Sequence, residues 1–298
     1  MDFITNQNNE KLEKHPIQEK EKRLAAVMDE YGKKPVCLAF SGGVDSSLLL
    51  KMACSAARRH GTKVWAVTFD TMLHPACDLE NARKVAEEMD ASHVVLLVDE
   101  LEQEELRNNP VNRCYLCKRR LFLRLQEFAA QKGCSLLLDG TNADDLKEYR
   151  PGLAALKELG VKSPLAACGL TKKEVKALAE KYGISAASRP SAPCMATRLP
   201  YGATLDYDLL KRIEEGEEFL KKELFSEGKP GNVRLRVHGD TARLETDAGQ
   251  FAAVLEKREK IAKRLKELGF TYITLDLEGF RSGSMDAKVK ASTPQTHT

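Results

Sequence analysis

The chain has 298 residues, 42% hydrophobic and 31% charged, a length that suits two ordinary domains at roughly 100–200 residues each. Its 47 basic and 44 acidic residues leave a net charge of +3, too little for the broad basic face of a protein that lives on nucleic-acid phosphate. The longest apolar runs, such as Ser46 to Leu50 and Val94 to Val98, fall far short of the roughly 18 residues of a spanning helix, and Met1 to Gln18 has neither the apolar stretch nor the cleavage site of a secretory leader, so no membrane partner and a cytoplasmic location are expected. In a reducing compartment the eight cysteines point to free thiols, metal ligands or catalytic sulfurs rather than a disulfide framework.

In chain order, residues 1–17 read as a disordered tail and Gln18 to Tyr31 as a charged amphipathic helix. Strand-like runs follow at Pro35 to Phe40, Val64 to Phe69, His93 to Val98 and Ser135 to Leu138. Helical patterns separate them at Ser46 to Arg59, Asp78 to Glu88 and Lys118 to Ala130. That alternation predicts an α/β fold: a parallel sheet with helices on both faces, over residues 18–184. Thr171 and Glu174 form a capping-box pattern for a helix that ends at Tyr182, before Gly183. Residues 185–204, rich in Ser, Pro, Ala and Gly, read as a junction loop. Beyond it a smaller α+β domain is expected over residues 205–286: a helix at Asp206 to Phe225, strands at Val233 to Val237 and Ala242 to Thr246, a helix at Gly249 to Leu268 and a strand at Thr271 to Leu277. Residues 287–298 read as a second disordered tail.

Directly after the first strand stands Ser41-Gly42-Gly43-Val44-Asp45-Ser46-Ser47, with a helix beginning inside it. The glycines let a pyrophosphate approach the backbone, the serine hydroxyls and helix N-terminal N–H groups can donate to its oxygens, and Asp45 can hold Mg2+. The stretch lacks the lysine of a Walker A loop. It resembles the SGGxDS signature of the PP-loop ATP pyrophosphatases, which split ATP to AMP and pyrophosphate and adenylate an acceptor oxygen. After the fourth strand come Asp139, Gly140, Thr141 and Asn142, with Asp144 and Asp145 beyond; polar turns at the carboxyl ends of parallel strands face a ligand crevice. By resemblance this second motif closes over the ATP phosphates and metal, with Asp145 as the second Mg2+ candidate, and Thr68 lies where the superfamily places its adenine pocket.

Cys114 and Cys117 form a CxxC, and Cys194 stands in the junction loop. A CxxC suits zinc, an iron–sulfur cluster, a redox disulfide or chance. Two thiolates with a distant third leave one corner of a tetrahedral or cubane site open. The stretches Arg113 to Lys118, Asp139 to Gly152, Ser191 to Gly202 and Leu277 to Asp286 together resemble the LarE family, ATP-dependent sulfur transferases of nickel-pincer nucleotide biosynthesis. The resemblance implies adenylation of a carboxylate of pyridinium-3,5-biscarboxylic acid mononucleotide and its conversion to a thiocarboxylate. It further implies one of two sulfur routes: a [4Fe–4S] cluster on Cys114, Cys117 and Cys194 that a sulfide or persulfide donor feeds, or Cys194 as a sacrificial donor. Possession of all three cysteines favours the cluster. The remaining thiols, Cys37, Cys54, Cys77, Cys134 and Cys168, sit singly on apolar segments and read as small core residues.

A mononucleotide substrate carries phosphate and carboxylates, which guanidinium groups bind bidentately. Arg198, Arg234, Arg236 and Arg281 are the candidate contacts, with Glu245 as a pairing or substrate-contacting carboxylate. The rival enzyme reading is a PP-loop tRNA thiolase, against which the weak net charge argues. An ATP-binding regulatory or amide-forming protein with no sulfur role would make Cys114, Cys117 and Cys194 dispensable. The family resemblance also implies a homo-oligomer, with a hexamer as the candidate order.

Overall fold

The computed structural model describes residues 3–74, 76–147, 150–188, 193–226 and 231–281. The chain forms two compact units, one of Met1–Thr71, Ala76–Val98 and Cys114–Ala192, the other of Met72–Pro75, Asp99–Arg113 and Pro193–Thr298. Among the described residues no helix is long and apolar enough to cross a membrane.

The first unit alternates as the sequence predicts. It runs α1 (Phe3–Tyr31), β1 (Val36–Ala39), α2 (Val44–His60), β2 (Val64–Asp70), α3 (Ala76–Glu88) and β3 (Ser92–Leu97). After α4 (Glu104–Arg107), which belongs to the second unit, come α5 (Arg113–Gln131), β4 (Leu136–Leu138), α6 (Gly152–Glu158), α7 (Pro164–Ala167) and α8 (Lys172–Lys181). The helix α1 begins at Phe3, within the stretch read as a tail, because Glu, Lys, Gln and Leu continue it without a glycine stop.

The sheet is wholly parallel in the order β3-β2-β1-β4. Alternation along β1 feeds two cores: Val36 and Leu38 pack with Leu24, Leu48 and Val175, while Cys37 packs with Val67, Leu125 and Leu137. Successive strands build outward from β1 on one side, and β4 returns to its other side. The switch point therefore lies between the carboxyl ends of β1 and β4, where open α/β sheets bind ligands.

The second unit continues with α9 (Tyr207–Leu224), β5 (Val233–His238), β6 (Thr241–Thr246), α10 (Phe251–Glu256), α11 (Arg258–Glu267) and β7 (Tyr272–Leu275). Asp206 caps α9 by accepting from the Leu209 N–H at 2.9 Å. The strands β5 and β6 form an antiparallel hairpin, and β7 joins β6 in parallel after the helical crossover. The single helix expected over Gly249 to Leu268 is two helices. Lys257 (φ −93°, ψ 12°) leaves the helical region, and its Nζ donates to the Glu223 carbonyl of α9 at 2.5 Å.

The second unit also draws Asp99–Arg113 out of the region read as the ATP domain. Local bonds explain the recruitment. Asn109 donates to the Pro200 carbonyl at 2.8 Å, Leu205 N–H donates to the Arg107 carbonyl at 2.7 Å, and Met195 N–H donates to the Leu73 carbonyl at 2.7 Å. The tail expected at residues 287–298 lies outside the described residues, as do residues 189–192 and 282–286 of the family-like stretches and residues 148–149 of the Asp139 to Gly152 stretch.

Candidate nucleotide and sulfur-transfer sites

The loop Ser41 to Ser47 connects β1 to α2. Gly42 adopts φ +69°, and a Cβ there would come within 2.8 Å of the Ala82 Cα, so backbone sign and close approach both require glycine. Gly43 is the N-cap of α2 without any side-chain cap, which leaves helix N–H donors open to an anion. Ser46 Oγ organises the turn by lying 3.2 Å from Ser41 Oγ and donating to the Gly43 carbonyl at 3.1 Å. The Ser47 hydroxyl is buried and has no hydrogen-bond partner among the described residues, an orphaned donor at the end of the loop. From α3, Asn81 fixes the loop through its Nδ2, which donates to the Gly42 carbonyl at 2.8 Å.

The turn after β4 sits against this loop. A Cβ on Gly140 would lie 2.9 Å from Ser46 N. Thr141 and Ser163 hydroxyls both donate to the buried Asp139 carboxylate at 2.5 Å. Asn142 is the hub: its Nδ2 donates to Asp45 Oδ1 at 3.2 Å, its N–H donates to Asp145 Oδ2 at 3.0 Å, and its Oδ1 accepts from Asp144 N–H at 2.9 Å. The two Mg2+ candidates, Asp45 and Asp145, thus flank one amide. Asp145 also pairs with Arg150 at 2.9 Å. Asp144 instead accepts from the Lys172 N–H at 2.9 Å, and that bond first, then Lys147, holds its carboxyl below the usual range.

The Lys172 ammonium, from the first turn of α8, is bonded to Asp45 Oδ2. Local sequence marks Lys172 only as part of a capping-box stretch, and no signal in it points to a loop 127 residues away. Thr68, on β2, is buried, and its hydroxyl donates to the Phe40 carbonyl at 2.7 Å and lies 2.8 Å from His93 Nε2. Burial, then Arg83, lowers the His93 pKa.

The cysteines divide by exposure. Cys37, Cys54, Cys134 and Cys168 are buried, and burial pushes the Cys37 thiol up to about 12, out of reach of thiolate chemistry. Cys114 is exposed and Cys117 half-buried; three residues apart in the first turns of α5, they occupy neighbouring positions on that helix. Cys194, in the other unit, is half-buried and caps the short turn Met195–Arg198. Among the described residues no three His, Cys, Asp or Glu side chains gather as a metal site.

In the second unit the candidate arginines have distinct jobs. Arg198 is buried and bidentate to Glu217, with both bonds at 2.8 Å, and Glu217 also accepts from the Leu235 N–H at 2.9 Å. Arg236 bonds Glu245 at 3.1 Å and the Thr197 carbonyl at 2.7 Å; Glu245, fully buried, is shared with Arg243 at 3.0 Å. Arg281 pairs with Glu278 at 2.7 Å.

Arg234 differs. It is 8% exposed, its NH1 donates to the Val233 carbonyl at 2.7 Å, and its buried Nε has no partner among the described residues. Its guanidinium lies 5.2 Å from the Phe280 ring. Burial, then the Arg198 charge, brings its pKa down to about 10. A buried cation close to the Arg198 and Arg236 charges, with a donor that has no partner among the described residues, is chemically suited to an anion.

A PP-loop domain family model matches residues 16–151. The chain is 36% identical over 251 residues to the pyridinium-3,5-bisthiocarboxylic acid mononucleotide synthase of Lactiplantibacillus plantarum, covering 84% of this chain and 88% of that protein. An uncharacterised protein of Synechocystis sp. is 34% identical over 84% of this chain and 91% of its own length. A tRNA-specific 2-thiouridylase of Symbiobacterium thermophilum is 28% identical over 60% of this chain and 58% of its own.

Proposed function

Because the chain belongs to the LarE family of ATP-dependent sulfur transferases, we propose that it adenylates a carboxylate of pyridinium-3,5-biscarboxylic acid mononucleotide and converts it to a thiocarboxylate. The likeness to the Lactiplantibacillus plantarum synthase along most of both chains carries this assignment. ATP binds at the loop Ser41 to Ser47, where two glycines, an uncapped helix end and the orphaned Ser47 hydroxyl suit a polyphosphate. Asp45 and Asp145, on either side of Asn142, would hold Mg2+, which neutralises phosphate charge when bound.

The substrate carboxylate oxygen attacks the α-phosphorus. The bond from that phosphorus to the bridging oxygen breaks, and the electron pair leaves with pyrophosphate. A sulfur nucleophile then adds to the acyl carbon of the adenylate and AMP departs, carrying off the carboxylate oxygen that attacked. Arg234, whose Nε has no partner among the described residues, receives the substrate phosphate, while Arg198 and Arg236 are held in place by Glu217 and Glu245.

The sulfur is carried at Cys114, Cys117 and Cys194, which form no disulfide and escape the full burial of the core cysteines. These residues would hold a [4Fe–4S] cluster, which when bound supplies an iron without protein ligand for a labile sulfide. The alternative within the same reaction takes sulfur from Cys194 itself. The protein acts in the cytoplasm as a homo-oligomer, a hexamer by family resemblance.

The test compares two acceptors. The carboxylated pyridinium mononucleotide is expected to stimulate pyrophosphate release from ATP, and bulk tRNA to leave it unchanged. Stimulation by tRNA with formation of a thionucleoside would replace this function by that of the thiouridylases.

A further inference from the structure

Gly42 and Gly43 are neighbours in the loop, so the peptide between them is the part of the site least able to hold its own orientation. Turning it over changes ψ of the first residue and φ of the second, and glycine accepts either sign of φ. The orientation nevertheless decides what the loop offers an anion. One side of the peptide carries a carbonyl oxygen, which repels phosphate, and the other carries an N–H, which donates to it.

The structure tells the two sides apart. The peptide is trans, so its oxygen and its N–H point in opposite directions. The Gly42 carbonyl faces α3, where Asn81 Nδ2 donates to it at 2.8 Å. The Gly43 N–H faces the serine side of the loop and meets Ser41 Oγ at 3.4 Å, a long contact that a phosphate oxygen can replace. Asn81 reaches the loop from 39 residues along the chain, and its helix is seated closely: Ala82, the next residue, is fully buried with its backbone against Gly42. We propose that Asn81 is a positioning residue of the nucleotide site: by holding the Gly42 carbonyl toward α3, it keeps the Gly43 N–H aimed at the place where the ATP phosphates bind. The inference rests on the ATP assignment above and adds to it a residue that touches no substrate atom. No bond forms or breaks at Asn81 during adenylation. Its requirement is a donor, which asparagine has and an apolar residue of similar size lacks. Once the donor is gone, the Gly42 carbonyl loses its partner, and the peptide can turn and present oxygen to the incoming phosphate.

Two substitutions separate the donor from the space it fills. Asn81→Leu keeps the approximate volume and removes the donor, whereas Asn81→Ala removes both. By calorimetry, each is expected to bind magnesium pyrophosphate about tenfold more weakly than the parent, the scale of one lost hydrogen bond, and to bind adenosine as the parent does. A role in packing alone would leave Asn81→Leu close to the parent. Asn81→Gln, with the same donor on a longer arm, should recover part of the pyrophosphate binding. The amide resonance of Gly43 should shift in nucleotide-free Asn81→Leu, because that amide shares its peptide with the carbonyl that loses a bond. An unchanged melting temperature shows that Asn81→Leu is folded; if it is lowered, Asn81→Gln compared with Asn81→Ala carries the test, and equal pyrophosphate affinity in those two overturns the proposal. Pyrophosphate affinity within twofold of the parent in folded Asn81→Leu, equal loss of adenosine and pyrophosphate binding, or an unmoved Gly43 resonance also overturns it. A parent that binds neither ATP nor pyrophosphate overturns the ATP assignment and this inference with it.

Discussion

At the scale of single residues, arginines that look alike in sequence carry different consequences. Arg198 and Glu217 form a buried bidentate pair, and truncating one partner strands the other charge away from water. Arg198→Ala should therefore destabilise the protein by about 3 kcal/mol or more, read as a fall in the denaturation midpoint. Arg234 is already poorly paired and its charge is disfavoured by burial, so Arg234→Gln should leave stability unchanged or raise it while weakening the mononucleotide substrate by about tenfold. Equal destabilisation by the two changes would contradict this division. In the loop Ser41 to Ser47, Asp45→Ala removes the Lys172 contact and the carboxylate proposed for Mg2+, and Ser46→Ala removes the hydroxyl that joins Ser41 to Gly43. Neither deletes apolar volume. Both should lower pyrophosphate release by about 100-fold, the scale of a lost transition-state contact, with far-ultraviolet circular dichroism unchanged.

At the scale of elements, β3 and α8 each have a measurable signature. His93 lies half-buried on β3 with Nε2 on the Thr68 hydroxyl, and its pKa is lowered in the fold, so the folded protein prefers neutral imidazole. The unfolded chain then binds more protons as pH drops through the ordinary histidine value, so stability should fall on acidification from that point and level off below the folded pKa. His93→Gln, which keeps a hydrogen-bonding partner for Thr68, should show a smaller difference in melting temperature between pH 7.5 and pH 5.5 than the parent. In α8, Thr171→Ala should cost about 1 kcal/mol of stability, and Thr171→Ser should restore most of it, by equilibrium urea unfolding. The capping box was readable from Thr171 and Glu174 because a helix N-terminus is a local pattern, and the strands of the first sheet were readable because burial on both faces leaves short apolar runs. Contacts between distant segments left no such trace. Nothing around Lys172 announces Asp45, nothing around Arg198 announces Glu217, and the break at Lys257 carries neither glycine nor proline. The helix over Phe3 to Ile17 was missed for the opposite reason: a polar stretch without an apolar stripe reads as a tail although its residues are good helix formers.

At the scale of the molecule, the PP-loop unit holds Cys114 and Cys117 and the second unit holds Cys194 with the buried arginines. Under the proposed function, adenylation would use the loop Ser41 to Ser47 and the turn after β4 and no cysteine, whereas sulfur delivery would depend on the three cysteines, so the two half-reactions should separate by mutation. Cys114→Ala, Cys117→Ala and Cys194→Ala should each retain pyrophosphate release in the presence of the carboxylated mononucleotide and each lose thiocarboxylate formation. The core thiols should behave differently: Cys37→Ala should affect stability and leave both half-reactions intact, because a thiol raised to about 12 is protonated at working pH. The cluster and the sacrificial route part at this point. Protein purified without oxygen should be brown and contain iron and sulfide if three thiolates hold a cubane, and all three single variants should lose the colour together. If Cys194 gives up its own sulfur, the parent should turn over once and lose the mass of hydrogen sulfide at Cys194, whereas Cys114→Ala and Cys117→Ala should remain competent. Repeated thiocarboxylate formation by Cys194→Ala would sink both routes at once, since each requires sulfur at that position.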